Sequence, residues 1–393
     1  MRVLVLPLVF PSARQPNPGI FVLHQMQALR ELGHECEVLR VVPYAPPIGA
    51  KWRAYCEIPP REEIDGFSVR TIRAVVPPRN IGMEYLPFEV HVAVRREIER
   101  FRPDIVHAHF LISSGHIAVR HPVPTVVTAH GGDAYRWPFE RPGLLRAARE
   151  TIFKATRLTA VSAFIDRSIQ RIAQRPAEVI WNGGDEFTFF PRDSAECRAR
   201  LQLPQDRSIV AFAGTVCRAK GLFDLVAALA RIDKPLRPIL LVVGSGPDAA
   251  ALLAQSKDAG VELRLVGQRD SAGVAEHFGA ADAVVLPSHD EGLPVVVCEA
   301  MLSQRAVVAT TVGGIPEIIR DGTTGLLVAP RASAELASAL TRVLGDDTLR
   351  ARLGDAARRF AAKRLTWRVN AQRYRDIYRD ALAAFDTSST TRA

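Results

Sequence analysis

The chain has 393 residues, enough for about two domains, and at 48% hydrophobic and 24% charged residues its composition is that of an ordinary globular protein. The formal charge of +9 raises nucleic acid as a partner, but the basic residues are spread over both halves with no aromatic-plus-basic motif, so that partner is excluded. Five scattered cysteines (Cys36, Cys56, Cys197, Cys217, Cys298) argue against a disulfide framework or zinc knuckle and point to a reducing compartment.

The first strand is expected at residues 2–8, a stretch too short for a signal sequence, which lacks a small-residue cleavage site and runs into Pro11-Ser12. Gly19 leads into an amphipathic helix over 20–32, Gly33-His34 turns the chain, and 35–41 reads as the next strand. Pro46-Pro47, Pro59-Pro60 and Pro77-Pro78 mark irregular loops. Beyond them Val92, Val94, Ile98 and Phe101 interleave with Arg95, Arg96, Arg100 and Arg102. That is a basic helix with apolar faces, either packed on a sheet or resting on an anionic membrane. Apolar strands follow at 104–108, 124–128 and 158–161. His107 and His109 share a strand face, with His116 and His121 after them, and both a metal site and a structural pair fit that spacing.

Residues 181–191 read as a linker. A second succession begins with a strand at 208–213 and Gly214, then alternates helix 223–231, strand 239–243, helix 249–258 and strand 261–265. Strands at 281–287, 307–309 and 325–328 follow, then a helix over 367–385 and a Ser/Thr-rich end expected to be unstructured. No apolar run reaches the length of a membrane span, so the expected location is the cytoplasm, at most peripheral on a membrane. Alternating strands and helices predict an α/β fold of two doubly wound domains with parallel sheets covered on both faces. Ligands bind such sheets at the carboxyl ends of strands, where Gly19, His130, Gly214, Gly244 and Glu291 fall.

The most informative pattern is Glu291 and Glu299, separated by seven residues, in Ser288-His289-Asp290-Glu291-Gly292-Leu293-Pro294 and the segment after it. Pro294 suits the start of a helix, so Glu291 falls on the preceding loop and Glu299 within the helix, although Val295-Val296-Val297 favours a strand on propensity alone. Carboxylates accept hydrogen bonds from sugar hydroxyls and a helix N-terminus attracts phosphate, so a nucleotide-sugar is the expected ligand. Lys220, after a strand and a Gly-containing turn, is the cation expected to stabilise a leaving diphosphate, with a plain surface lysine as the alternative. Arg218 offers a second charge, or else faces solvent.

With these residues in view the chain resembles the retaining, GT-B-fold glycosyltransferases of family 4. The resemblance rests on Pro18-Gly19-Ile20-Phe21, Thr128-Ala129-His130-Gly131-Gly132-Asp133 and Asn182-Gly183-Gly184-Asp185. It continues through Lys220-Gly221, Gly244-Ser245-Gly246-Pro247, the two glutamates in register, and Gly313-Gly314-Ile315-Pro316-Glu317. It implies an acceptor-side domain over 1–188, a nucleotide-sugar domain over 189–366, a helix 367–385 crossing back to the first domain, and a tail 386–393. It implies a UDP- or GDP-sugar donor, a saccharide or lipid-linked acceptor, no cofactor and no metal.

Residue by residue, the resemblance puts Glu299 on the ribose, with Gly244, Gly267 and Gln268 beside the nucleoside. Glu291, Gly292, Leu293 and Pro294 fall on the transferred sugar, and Lys220, Arg218, Gly19 and Gly214 on the diphosphate. His130 falls at the reacting sugar, with Asp133 orienting it, binding an acceptor hydroxyl or capping a helix. No nucleophile is positioned for a double displacement, which favours a same-face internal return. Four departures stand out: Thr215 where Arg often follows the glycine, a single Gly19, Ser303-Gln304-Arg305-Ala306 after Glu-Ala-Met, and Trp181 where Pro or an aliphatic residue usually precedes Asn182-Gly183. The rival readings are an epimerase or phosphorylase on the same scaffold and a nucleotide-sugar-binding protein without catalysis.

Overall fold

The computed structural model describes residues 1–44, 50–75 and 88–390. Two of the proline pairs, Pro46-Pro47 and Pro77-Pro78, lie outside the described residues. The chain divides into two compact units, Met1–Trp181 joined by the chain from Asn370 onward, and Asn182–Val369.

The first unit is built on β1 (Arg2–Leu6), β2 (Glu35–Tyr44), β3 (Arg61–Ile64), β4 (Phe67–Val75), β5 (Ile105–His109), β6 (Thr125–Ala129), β7 (Arg157–Ala160) and β8 (Glu178–Val179). They form one sheet in the order β3-β4-β2-β1-β5-β6-β7-β8, parallel except for the antiparallel pair β3 and β4. Val3, Leu4, Val5, Ile105, Val106, Val126 and Val127 are fully buried, as expected of parallel strands covered on both faces. The β3–β4 hairpin falls where the sequence reading has irregular loops. Its turn is Asp65-Gly66, both at positive φ (48° and 78°), the backbone that suits a two-residue hairpin.

The expected basic helix is present as Phe88–Phe101. Glu97 is buried and receives Arg70 and Arg100, and Arg95 pairs with Glu99, so much of its charge is neutralised locally. Among the described residues no helix is long and apolar enough to cross a membrane.

The second unit carries β9 (Ile209–Ala213), β10 (Ile239–Val243), β11 (Leu263–Gly267), β12 (Ala283–Leu286), β13 (Ala306–Thr310) and β14 (Leu326–Val328). Their order is β11-β10-β9-β12-β13-β14, all parallel. The unit starts at Asn182 rather than at the expected 189 because hydrogen bonds tie the Asn-Gly-Gly segment to it. Gly184 N–H donates to Leu365 O at 2.8 Å, Trp367 N–H donates to Gly184 O at 3.1 Å, and Asn182 Nδ2 donates to Leu293 O at 3.0 Å. A Cβ on Gly183 would lie 2.3 Å from Thr366 C, so only glycine allows this approach.

The last helix runs Trp367–Thr390, past the point where composition predicts an unstructured end. Tyr374, Tyr378 and Ala381 form its buried face, the four- and three-residue spacing of a helix stripe. Residues 391–393 lie outside the described residues.

Candidate functional site

In a doubly wound sheet the binding crevice opens where successive connections leave in opposite directions. In the second unit that point lies between β9 and β12, because β9 leads on to β10 while β12 leads on to β13. The loop after β9 starts at Gly214 (φ 147°) and is pinned by Val216 N–H to Ser245 O at 3.0 Å. It then winds through the short 3₁₀ turn Arg218–Lys220 into Gly221 (φ 69°). A Cβ on Gly221 would lie 1.8 Å from Pro287 O, so the glycine lets this loop press against the end of β12. His289 N–H to Ala219 O at 2.8 Å completes the seam.

That seam brings Lys220 onto Glu291, with Nζ 2.6 Å from Oε1, while the Ser288 hydroxyl donates to the same oxygen at 2.7 Å. An ammonium has three protons, so one can hold Glu291 while the others remain for a second anion. Glu291, Gly292, Leu293 and Pro294 form the turn before the helix Val295–Leu302. The valine run is helical because Val297, Cys298, Ala300, Met301 and Leu302 are buried, and tertiary packing outweighs the β-branched preference.

Glu299 projects from that helix, with a Cβ on Gly184 reaching only 3.4 Å from its Cγ. Its carboxyl has no hydrogen-bond partner among the described residues. Burial, reinforced by the Asp185 carboxylate, pushes its pKa up from 4.5 to about 8. Gly244 (φ 152°) nests on Gly214, where a Cβ would lie 1.9 Å from Gly214 O, and bridges to Gly267. Gln268 is exposed beside them, and Arg218 is exposed with its guanidinium 4.5 Å from the Phe223 ring centroid.

The first unit gathers a different set. His130, at the end of β6, is partly exposed, with Phe21, Phe110 and His109 rings at 4.8, 4.9 and 5.1 Å. Burial lowers its pKa to about 3, so the imidazole is neutral at physiological pH. Its Nε2 meets His109 Nδ1 at 2.9 Å, and His109 Nε2 is buried with no partner among the described residues. An orphaned N–H costs more than an orphaned lone pair, which favours a proton on His109 Nδ1 donating to His130. His130 then carries its own proton on Nδ1 and presents a donor.

Asp133 is fully buried and spends its carboxylate on backbone N–H groups: Leu111 at 2.9 Å, Gly131 at 2.7 Å and His130 at 3.2 Å. Despite those bonds its pKa is raised by burial. It therefore positions the loops around His130 and does not touch the imidazole. His107 has both ring nitrogens committed, Nδ1 to the Tyr378 hydroxyl and Nε2 to the Thr128 hydroxyl, each at 2.8 Å. Of the two readings open for His107 and His109, this is a buried structural network. Gly19 is buried at the N-cap of the helix Ile20–Glu31 with φ 72°, and a Cβ there would lie 2.1 Å from Val9 O. Its own loop is enough to demand the glycine.

Sequence reasoning gave no role to Asp185 or Ser288 and did not foresee that His109 meets His130. The His-x-His spacing marked His109 but not its partner, and nothing local to Asp185 says that it faces Glu299.

Residues 19–186 match the family described as Glycosyltransferase Family 4, and residues 193–360 match the family described as Glycosyl transferases group 1. A D-inositol 3-phosphate glycosyltransferase of Actinosynnema mirum is 31% identical, over 98% of this chain and 100% of that protein. Sucrose-phosphate synthase of Thermosynechococcus elongatus has the same fold, with a TM-score of 0.82 at 24% identity over 98% of this chain and 100% of that one. HepE of Anabaena, solved in complex with UDP-glucose, gives a TM-score of 0.75 at 19% identity over 96% and 99% of the two chains.

Proposed function

The chain belongs to the family 4, group 1 glycosyltransferases, and on that premise we propose that it transfers a sugar from a UDP- or GDP-sugar to a saccharide or lipid-linked acceptor. We further propose that it retains the anomeric configuration and needs no metal. The observation that carries this reading is the Lys220–Glu291 pair at the switch point of the second sheet, with the open carboxyl of Glu299 on the helix that follows.

Each group has a task. Glu299 accepts the ribose hydroxyls once ionised, with Gly244, Gly267 and Gln268 beside the nucleoside. Glu291, held in place by Lys220 and Ser288, accepts a hydrogen bond from a hydroxyl of the transferred sugar. The remaining Lys220 protons, Arg218 and the N–H groups of the turn at Gly292 and Leu293 face the diphosphate. Fixed charge there stabilises the negative charge that develops as the bond between the anomeric carbon and phosphate oxygen breaks.

The electron pair of that bond leaves on the diphosphate. The acceptor oxygen attacks the same face, and its proton passes to the departing phosphate oxygen. His130, neutral and donating from Nδ1, steadies an oxygen of the reacting sugar, and Asp133 holds the loop that presents it. Departure is balanced by charge from Lys220 and Arg218, so a divalent cation has no required task.

Calorimetric titration with a panel of nucleotide-sugars in EDTA tests the donor assignment, and NMR of the product anomer tests retention. Binding of one diphosphate nucleotide without metal, and an unchanged anomer, are expected. Failure of every diphosphate nucleotide to bind, or an inverted product, would overturn the reading.

A further inference from the structure

The first sheet has its own switch point, between the neighbours β1 and β5, since β1 leads on to β2 while β5 leads on to β6. The loops leaving those two strands wall a cavity of about 520 Å³. That is the volume of a small-molecule site. Its wall is mainly apolar, including Val9, Phe10, Val42, Ile112, Trp137 and Leu144.

Two features connect the cavity to His130. The Phe110 ring lies 4.9 Å from the His130 ring and 6.1 Å from Trp137, so one side chain reaches from the imidazole to the cavity wall. The same loop holds two non-glycine residues at positive φ, Phe110 at 81° and Ser113 at 70°, and Ser113 lines the cavity. Such backbone strain persists only where surrounding structure imposes it, here through the Asp133 carboxylate that accepts Leu111 N–H.

Two of the three arginines that line the cavity have carboxylate partners. Arg40 is 2% exposed and pairs with Glu62, while donating to Thr71 and to the Pro11 carbonyl. Arg136 faces Glu140 across 3.9 Å. A bare polyol entering this mainly apolar cavity would lose its hydration without enough partners to replace it. A hydrocarbon chain would not. The Nε–H of Arg40 is buried and without a partner among the described residues, which leaves one donor in the wall for a linking oxygen.

We propose that this cavity takes the hydrocarbon part of the acceptor, an alkyl chain joined through oxygen to the sugar or hydroxyl that is glycosylated. The proposal rests on the glycosyltransferase reading and narrows its acceptor class. The chain enters between the loops after β1 and β5, and its polar head lies on the Phe110 side, toward His130.

The test uses the full chain and octyl β-D-glucoside below its micellar concentration, with glucose as the comparison and UDP and GDP binding as an independent measure of the second unit. Octyl glucoside is expected to bind at least about 100-fold more tightly than glucose, since several methylenes leave water. Val75→Asp, at an exposed lining position, and Trp137→Ala are expected to lower that affinity at least about tenfold while leaving nucleotide binding intact. Equal binding of octyl glucoside and glucose, or octyl glucoside binding that ignores both substitutions, overturns the cavity assignment and leaves the donor reading standing. Loss of nucleotide binding in the unsubstituted protein sinks the donor reading instead, and the octyl glucoside comparison still decides the cavity.

Discussion

Replacing Glu299 with glutamine removes a titration that the fold itself creates. Burial and Asp185 raise the carboxyl from 4.5 to about 8, so at pH 7 it is about nine-tenths protonated in the ligand-free protein. Ribose hydroxyls donate to a carboxylate, and binding must therefore expel that proton. Titrations of UDP or GDP in phosphate and in Tris at pH 7 should report release of about 0.9 proton more for the native protein than for Glu299→Gln, falling to about 0.1 at pH 9. The glutamine protein serves as the reference because it cancels protons released by the nucleotide.

The same shift has a stability consequence of defined sign. A folded-state pKa raised above the unfolded value contributes stability that is complete below pH 4.5 and lost as pH rises toward 8. From pH 7 to pH 9 the native protein should lose up to about 1.4 kcal/mol that Glu299→Gln keeps, and the accessible edge of the residue makes this an upper value. Nucleotide affinity should fall about 10- to 100-fold in the glutamine variant, the worth of hydrogen bonds to a charged group. Equal proton release by the two proteins, with equal affinity, would refute the assignment of Glu299 to the ribose.

Lys220→Met should lower turnover about 100- to 1,000-fold with a smaller effect on nucleotide binding, because its charge matters most as the diphosphate departs; steady-state kinetics separates the two. Gly221→Ala should destabilise the second unit by more than about 2 kcal/mol, read as a lowered denaturation midpoint, since its Cβ would meet Pro287 O at 1.8 Å. Nitrogen NMR on histidine-labelled protein, assigned with His130→Gln, should show neutral His130 with its proton on Nδ1, and a proton on Nε2 would reverse the donor role. His107 and His130 both have pKa values lowered to about 3 by burial. The stability tied to them is full above pH 6.5 and should be lost on acidification, by up to about 1.4 kcal/mol per pH unit for each, as followed by unfolding between pH 7 and pH 4.

Much of the scaffold was legible because the signals are local. The apolar runs that became β9, β10 and β12, the glycine after β9 and Pro294 before its helix all act within a few residues, and they placed Lys220 and Glu291 on loops after strands and Glu299 in the helix that follows. The β3–β4 hairpin carried its signal too, Asp65-Gly66, but surrounding proline pairs masked it. The Ser/Thr-rich end looked unstructured because composition does not show that the helix ending there is anchored upstream by Tyr374 and Tyr378.

What the chain alone determined is which residue types stand at strand ends, since alternation of apolar and polar positions follows from element periodicity. Only tertiary structure decided what those residues touch. Lys220 reaches a glutamate 71 positions away because β9 and β12 are neighbours in the sheet. His109 meets His130 because β5 lies beside β6. Glu299 holds its proton because the helix and Asp185 surround it. Proton affinity, tautomer and ion pairing depend on the dielectric and on partners distant in sequence, which no local pattern encodes.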